Sequence, residues 1–500
     1  MGLLRQFPAL VILLLLAALM MLLPALHAAG LENWRIARTF LEGAIFFSVI
    51  ATMLGLATMN RVPRVPARYH LLTLLLAYLL LPLVLAAPLV ALVPGLGLGG
   101  GYFEMLSCLT TTGATLFDRP QLLAEPLHLW RALVGWVGGL IVLTTAFAIL
   151  APLNLGGFEI SGDGAIGLDR GRSGTIDEAS QRILRVLRRV APVYAGLTAI
   201  LALLLILAGD RPFVAACHAM AALSTSGISP VGGLDGSRSG RMGEMMLALF
   251  LLPAVSSRGL SFAHSRRIGP RLSDPQIQLM LISVLGITAV LFLRSFVGAV
   301  EIERQDNLGA ALQAIWGSAF TLLSYLTTTG FESRDWRAMQ IWSDLPQPGA
   351  ILLAVAVMGG GIATTAGGVK LLRIYALYRH GLREMDRLIH PSSIGRRGSG
   401  DRLISERGAR VAFIFLMLFL ISLAVVMAAL AASGLRFDQS LALAVAGLTT
   451  TGPAIGALGG DLGYAALSTP ARAAFCLAMI VGRMETLVII ALFNPAYWQR

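Results

Sequence analysis

Long apolar segments separated by short polar loops recur along the whole chain. Each is about 20 residues long, the length that a helix needs to cross the hydrocarbon core of a bilayer. The pattern predicts ten spans, near 8–28, 39–59, 71–94, 130–151, 190–208, 244–263, 277–297, 349–378, 409–433 and 469–492. The expected fold is an all-α polytopic membrane protein with ten transmembrane helices.

The first apolar run, Pro8 to Leu26, has two interpretations. Arg5 precedes it and small residues follow it at Ala28 and Ala29, as in a cleavable signal peptide. Its apolar part is longer than the core of a usual signal peptide, so a retained helix is the favoured interpretation.

Four shorter apolar stretches lie between pairs of spans, and each ends in three hydroxyl residues and a glycine. These tetrapeptides are Thr110-Thr111-Thr112-Gly113, Ser224-Thr225-Ser226-Gly227, Thr327-Thr328-Thr329-Gly330 and Thr449-Thr450-Thr451-Gly452. The matching positions indicate an internal repeat. A stretch of roughly a dozen apolar residues is too short to span and suits a re-entrant helix. The repeating unit is therefore helix, pore loop, helix.

Four such units around one central pore, preceded by an extra helix pair, divide the chain into five parts. The predicted parts are an N-terminal helix pair (1–69), pore repeat 1 (70–160), pore repeat 2 (161–270), pore repeat 3 with a broken second helix and a cytoplasmic loop (271–390), and pore repeat 4 (391–500).

The tetrapeptides have the chemistry of an ion-selective pore. Extended backbone at membrane depth has to be buried in protein or line a watery cavity. A ring of carbonyls from four loops replaces the hydration shell of potassium, and glycine permits the dihedral angles that aim them inward. The hydroxyls either hold the strand from behind or add oxygens. Helix caps with loop glycines are the alternative, which explains one copy better than four in register.

The segment Met358 to Lys370 interrupts the span at 349–378. Its glycines are poor helix formers, at about 1 kcal/mol each relative to alanine, so a break between two half-helices is expected. Close helix packing through small residues is the alternative. The candidate gate residues in this segment are Gly359, Gly360, Gly361, Thr364, Thr365, Gly367, Gly368 and Lys370. Lys370 is the only lysine, and snorkelling to the interface is its ordinary interpretation.

Arg483 is the other gate candidate, because it lies well inside the last span. An intramembrane charge is costly and usually faces a cavity or a partner. In the pore it would oppose cations; otherwise it snorkels or pairs with a carboxylate elsewhere. Glu485, two residues on, lies on a different helical face and is not its natural partner.

These motifs together resemble the TrkH type of the Trk/Ktr/HKT superfamily of potassium-translocating subunits. The resemblance rests on the four tetrapeptides, on MGGGIATTAGGVK at 358–370 and on VGRMETL at 481–487. It implies potassium uptake across the bacterial cytoplasmic membrane through a filter built by the tetrapeptides, an intramembrane loop that obstructs the pore, and a pore arginine. It also implies a homodimer and a cytoplasmic TrkA-like subunit that carries the nucleotide, ATP/ADP or NAD. The four filter glycines favour potassium over sodium.

The positive net charge is explained by membrane topology and does not require a nucleic-acid partner. The net charge is +12, and arginines crowd alternate loops, whereas the intervening loops are mixed or acidic, with residues such as Glu104 and Glu332. This is the positive-inside pattern, and it places both termini in the cytoplasm. The three cysteines have unrelated spacing, and no phosphate-binding loop or clustered catalytic triad is present, so an enzyme is not expected and no cofactor is assigned to this chain. Gly95 to Gly101 is expected to be a loop.

One alternative function and two departures from the family pattern stay open. A sodium- or proton-coupled potassium symporter, or a sodium-permeable transporter of the same fold, would need a second ion site, for which Glu485 is the intramembrane candidate. The second repeat is divergent, with LLPAVSSRGLSF after its tetrapeptide. Pro453 follows the fourth glycine and lacks an N–H, so that strand is expected to be held differently.

Overall fold

The computed structural model describes residues 7–58, 66–152, 155, 157–158, 176–256, 274–301, 308–337, 349–390, 406–458 and 462–493. Helices account for the regular structure of these residues, and no strand occurs among them. The arginine-rich stretches around Arg61, Arg266 and Arg396 lie outside the described residues, as do the predicted part boundaries after residues 160 and 270. The all-α fold class is confirmed.

The N-terminal helix pair packs against the first pore repeat. The first span, Ala9–Gly30, is divided at Met21 into α1 (Ala9–Met20) and α2 (Leu22–Gly30), and α3 (Trp34–Thr58) runs beside both. Met21 is fully buried and so is Phe40, whose ring meets Trp130 edge-on at 5.6 Å. Aromatic packing of this kind therefore joins the pair to the pore domain.

Each pore repeat consists of a long first helix, a shorter pore helix and an irregular second helix. Repeat 1 has α4 (Pro66–Leu92), α5 (Gly97–Leu109) and α6 (Glu125–Thr145); repeat 2 has α7 (Ile176–Leu207), α8 (Pro212–Ser224) and α9 (Gly240–Leu251); repeat 3 has α10 (Pro275–Glu301), α11 (Leu308–Leu326), α12 (Gly349–Met358) and α13 (Leu371–Ile389); repeat 4 has α14 (Glu406–Ala432), α15 (Phe437–Leu448), α16 (Thr469–Met484) and α17 (Thr486–Phe493). Gly97 to Gly101 belong to α5, so the expectation of a loop there is wrong.

Seven helices of the described residues are long and apolar enough to cross a membrane. They correspond to seven of the ten predicted spans, and the other three are interrupted second helices. α9 ends in a 3-10 turn at Leu252–Ala254, α12 and α13 are separated by a loop, and α16 and α17 are separated at Glu485. The second helix of repeat 1 is also irregular, because α6 continues into a π-helical turn at Ala146–Leu150. Irregular backbone at membrane depth is tolerated where it is buried in protein or lines a cavity, so the irregular second helices are the ones expected to face the interior of the protein.

Candidate functional site

The four pore helices end at the four tetrapeptides, and the backbone leaves each helix in the same way. The second hydroxyl residue is left-handed in every copy: Thr111, Thr225, Thr328 and Thr450 have φ between 53° and 56°. In repeat 1 the Thr111 N–H donates to the Cys108 carbonyl at 2.9 Å and the Thr112 N–H to the Ser107 carbonyl at 2.9 Å. The other three repeats have the equivalent bonds. This is a Schellman cap, in which the left-handed position is usually glycine.

Threonine at that position is strained. A β-branched residue with positive φ is a genuine outlier, and such residues cost about 1–3 kcal/mol and cluster at functional sites. Here the outlier occurs four times in register, at fully or almost fully buried positions. The repetition indicates that the threonine side chain is required where glycine would relieve the strain.

The first and third hydroxyls of each tetrapeptide bond to each other. The four oxygen–oxygen distances are 2.8 Å (Thr110 to Thr112), 3.0 Å (Ser224 to Ser226), 3.1 Å (Thr327 to Thr329) and 3.0 Å (Thr449 to Thr451). The first hydroxyl also donates to the carbonyl four residues earlier in its helix, at 2.7 to 3.0 Å. The sequence left two roles open for the hydroxyls: to hold the strand from behind or to add oxygens to the ion site. These contacts match the first role.

The four tetrapeptides form a closed ring, which we call the tetrapeptide ring. A Cβ atom on Gly113 would collide with the Ser226 carbonyl oxygen, and one on Gly227 would collide with the Thr329 carbonyl oxygen. A Cβ on Gly330 would lie 2.8 Å from the Pro453 ring. The Gly452 N–H closes the circle by donating to the Thr112 carbonyl at 2.6 Å. Each glycine is therefore the place where one strand approaches the next.

The fourth strand departs from the others, as the sequence predicts. Gly113, Gly227 and Gly330 have positive φ, whereas Gly452 does not and instead begins a 3-10 turn that runs to Gly456. Pro453 fixes the second position of that turn, and the Tyr464 hydroxyl donates to the Gly452 carbonyl at 2.7 Å.

The break between α12 and α13 is an intramembrane loop, Gly359–Lys370, packed against the tetrapeptide ring. The Gly367 N–H donates to the Thr328 hydroxyl at 2.8 Å, and the Thr365 hydroxyl donates to the Leu223 carbonyl at 3.3 Å. A Cβ on Gly367 would collide with the Thr449 carbonyl. The loop thus contacts repeats 2, 3 and 4, and glycine lets its backbone approach the ring that closely.

Two elements on the other side hold the intramembrane loop in place. The Gly361 N–H donates to the Ala254 carbonyl at 2.9 Å, in the 3-10 turn of repeat 2. The Ile362 N–H donates to the side-chain oxygen of Gln276 at 2.9 Å, at the start of α10. The predicted break is therefore present, and the loop is ordered by hydrogen bonds rather than by helix-to-helix packing alone.

Arg483 connects the intramembrane loop to repeat 1, in addition to the loop's own contacts with repeats 2, 3 and 4. Its side chain is buried, its Nε donates to the Thr110 carbonyl at 2.8 Å, and its Nη1 donates to the Thr365 carbonyl at 2.7 Å. Its Nη2 contacts the Thr111 hydroxyl. The guanidinium does not snorkel: it links repeat 1 of the tetrapeptide ring to the intramembrane loop. Since it bonds to carbonyl and hydroxyl oxygens, its positive charge is solvated by dipoles in the interior.

Lys370 also lies inside the protein. It is buried, its backbone φ is 84°, and its Nζ donates to the Ala366 carbonyl within the intramembrane loop. Snorkelling to the interface is therefore the wrong interpretation of this side chain. A cavity of about 40 Å³ is lined by Lys370, Arg483 and Glu485, and also by Tyr78 and Thr145.

An ion pair that the sequence pattern did not predict lies beside this cavity. The Arg373 Nη2 is 2.8 Å from the Glu485 carboxylate; the Arg373 side chain is fully buried, and that of Glu485 is 11% exposed. The guanidinium also stacks on the Phe415 ring, 3.6 Å from its centroid. The pair joins α13 to the break in the last helix. Glu485 was the available signal, because an intramembrane acid implies a cationic partner.

Glu104 was counted among the acidic residues of the intervening loops, and this assignment is wrong. It lies in α5, its side chain is fully buried, and its Oε1 is 2.7 Å from the Arg131 guanidinium. The sequence predicted a loop here because the start of α5 is rich in glycine.

The fold and the tetrapeptide ring define a class, a multi-pass α-helical membrane transport protein with four pore repeats. Residues 276–500 match the family model TrkH, described as a cation transport protein. The resemblance to the TrkH type that was drawn from the motifs is confirmed by this match and by the similar proteins that follow.

Relatives extend the likeness beyond the matched region. The chain is 28% identical over 405 residues to the Trk system potassium uptake protein TrkH of Halomonas elongata, covering 80% of this chain and 79% of that one. It is 27% identical over 408 residues to TrkH of Escherichia coli K12, covering 81% and 80%. The relatives are transport proteins rather than enzymes, and this chain is likewise a transport protein.

A solved structure shares the fold across the full length. The crystal structure of the potassium transporter TrkH from Vibrio parahaemolyticus superposes with a TM-score of 0.80 at 24% sequence identity, covering 99% of both chains. The likeness therefore includes the N-terminal helix pair and all four repeats.

Proposed function

We propose that this protein takes up potassium across the cytoplasmic membrane, with the tetrapeptide ring as its selectivity filter and the intramembrane loop and Arg483 as its gate. One observation carries the proposal: the loop and Arg483 together contact all four repeats of a closed ring of strained strands. The relatives are potassium uptake proteins of the Trk system, which supports the proposal.

The composition of the ring favours a monovalent cation. None of the four tetrapeptides contains a carboxylate, so its oxygens are carbonyls and hydroxyls, the ligands that substitute for the hydration shell of potassium. The hydroxyl-to-hydroxyl bonds of each strand and the Schellman caps fix the backbone. A fixed backbone keeps the carbonyls at the spacing that distinguishes potassium from the smaller sodium ion.

The gate closes the pathway in two ways. The guanidinium of Arg483 bonds directly to the Thr110 carbonyl, so it occupies space and satisfies an oxygen that an ion would use. It also places a positive charge in a low-dielectric interior, where it repels a cation more strongly than it would in water. Opening therefore requires Arg483 to leave the ring.

The ion pair of Glu485 argues against coupled symport. A coupling site needs a carboxylate that binds and releases an ion or a proton, whereas the Glu485 carboxylate is bonded to Arg373 at 2.8 Å. Channel-like uptake, controlled by the gate, is the simpler function for this arrangement.

Control by a cytoplasmic partner fits the surface of α13. Four large apolar side chains are exposed on this helix: Tyr378 near its middle, and Met385, Leu388 and Ile389 in its second half. The same helix also carries several arginines. A helix of this type is suited to docking, here to a TrkA-like subunit that holds ATP/ADP or NAD. Because α13 begins where the intramembrane loop ends, movement of the partner would reach the gate directly. The proposal includes a homodimer and both termini in the cytoplasm, the orientation that the positive-inside pattern favours.

The test is ion flux into proteoliposomes without a partner protein. Wild-type protein is expected to pass potassium or rubidium faster than sodium, and Gly330→Ser is expected to lower this ratio roughly tenfold, since a side chain at a left-handed position costs about 1–2 kcal/mol. Gly330 has φ 77° and no room beside Pro453. Gly434→Ser is the matched control, because Gly434 has φ 92° but nothing within 4 Å of its Cβ position and lies outside the tetrapeptides.

Equal sodium and potassium fluxes in the wild type would contradict the filter. So would a Gly330→Ser variant that keeps the wild-type ratio, whatever the ratio in Gly434→Ser. If the wild type passes no ion, the same ratios are measured in the gate variant Arg483→Ala.

A further inference from the structure

One position on the pore helices recurs with a role that the tetrapeptides do not explain. Six residues before the first hydroxyl of each tetrapeptide lie Glu104, His218, Thr321 and Leu443. All four side chains are fully buried. Three are polar and bond to the chain that follows the filter glycine, and one is apolar and does not.

Glu104 makes the strongest of these contacts. Its Oε2 accepts from the Leu116 N–H at 2.9 Å, three residues after Gly113, and its Oε1 accepts from the Arg131 Nε at 2.7 Å. One carboxylate therefore joins the pore helix, the strand beyond the filter and α6. A charge-assisted bond of this kind is about twice as strong as a neutral one.

His218 makes the equivalent contact in repeat 2. Its Nε2 is 2.9 Å from the Ser229 hydroxyl, two residues after Gly227. The Ser229 proton goes to the Gly233 carbonyl at 3.0 Å, so His218 donates from Nε2. Its ring also meets the Phe331 ring edge-on at 5.8 Å, directly after Gly330, which connects the second strand to the third.

Thr321 makes the contact in repeat 3. Its hydroxyl accepts from the Ser333 N–H at 3.2 Å, three residues after Gly330. The Ser333 hydroxyl then donates to Glu244 of α9 at 2.8 Å, so this strand is also held by the neighbouring repeat. Repeat 4 has Leu443 at the position, and its strand is held by Tyr464 instead.

The common register has a geometric cause. Six helical residues rise about 9 Å at 1.5 Å each, and three extended residues cover about 10 Å. A side chain six residues before the tetrapeptide is therefore level with the residues two to three positions beyond its glycine. Any fold that reverses direction at the tetrapeptide ring brings these two positions together.

We propose that Glu104, His218 and Thr321 are positioning residues that fix the strands beyond the filter glycines of repeats 1 to 3 and thereby set ion selectivity. They touch no ion and act through the backbone that they hold. This inference rests on the proposed filter function. It also predicts an uneven filter, in which repeats 1 to 3 are held from the pore helix and repeat 4 is held from outside it.

The deciding variant is Thr321→Val, which keeps the side-chain shape and removes the acceptor. Loss of one buried hydrogen bond is expected to lower the potassium-to-sodium flux ratio roughly fivefold, with little change in potassium flux itself. Thr321→Ser keeps a hydroxyl and is expected to keep the ratio. Leu443→Ile is the matched control, at the same position in the repeat without this bond. Glu104→Gln, which leaves buried Arg131 without its carboxylate, is expected to lower the ratio further if it folds.

Hydrogen exchange of residues 331–337 separates this inference from the filter itself. Thr321→Val is expected to speed exchange there, and Thr321→Ser and Leu443→Ile are not. A selective wild type with an unchanged ratio in Thr321→Val would overturn the positioning role, whether exchange is faster or not. A wild type without potassium preference would overturn the proposed function. In that case, unchanged exchange of residues 331–337 in Thr321→Val would also overturn the stabilising role of the Thr321–Ser333 hydrogen bond. Faster exchange would support that hydrogen bond but not its role in selectivity.

Discussion

Arg483→Ala is expected to raise potassium flux in the absence of any partner, roughly a hundredfold. A like charge about 6 Å from the ion at an effective dielectric constant of about 20 raises its energy by ~3 kcal/mol, which corresponds to that factor. The variant removes this charge and frees the Thr110 and Thr365 carbonyls to which Arg483 donates. The measurement is rubidium uptake into proteoliposomes at matched protein content.

Two controls separate the charge from its position. Arg483→Lys keeps a positive charge at the ring and is expected to stay close to the wild-type flux. Arg472→Ala removes the other arginine of α16, whose Nη2 donates to the Ala465 carbonyl at 2.6 Å and has no contact with the tetrapeptide ring among its hydrogen bonds. This variant is expected to leave the flux unchanged. Flux in Arg483→Ala equal to that in Arg472→Ala would show that the guanidinium does not close the pathway.

Breaking the Arg373–Glu485 ion pair is expected to produce the largest loss of stability. Removing one partner of a buried pair leaves an uncompensated charge and costs about 3–5 kcal/mol, whereas replacing both partners costs much less. Arg373→Met and Glu485→Gln are therefore each expected to lower the thermal unfolding temperature in detergent. The double variant is expected to recover most of it. The single variants are also expected to raise basal flux, because the pair ties α13 to the break in the last helix.

The exposed pair of Arg387 and Glu384, also on α13, is the control. Its side chains are 54% and 45% exposed, and an exposed pair contributes only about 0–1 kcal/mol. Arg387→Met is expected to leave the unfolding temperature almost unchanged. If the double variant at Arg373 and Glu485 were as unstable as the sum of its single variants, the two residues would not act as a pair.

The repeats could be predicted from the sequence because each is marked by residues that are close together in the chain. Apolar length predicted the helices, and the hydroxyl-and-glycine tetrapeptides marked the ends of the pore helices. The break at Gly359 was also predicted, since consecutive glycines disfavour a helix, although the same argument failed for Gly99 to Gly101, which lie within α5. The break at Glu485 was not, because that residue has no unusual propensity and its φ of 61° is imposed by its surroundings.

Partners distant in the chain needed the folded structure. Arg373 and Glu485 are 112 residues apart, and Arg483 is 373 residues from Thr110, so no local pattern connects them. Glu104 shows the same limit: beside five glycines it resembles a loop residue, yet it lies in a buried helix and holds Leu116.

The sequence by itself determined the class, the helices, the fourfold repeat and the residues of the tetrapeptide ring, because apolar length and residue conformation act within one segment. Only the tertiary structure decided which oxygens Arg483 and Lys370 bond, which acid pairs with Arg373 and which side chains hold the strands beyond the glycines. Those choices depend on burial, since a buried charge or N–H must find a partner among whichever groups the packing of four repeats brings within reach.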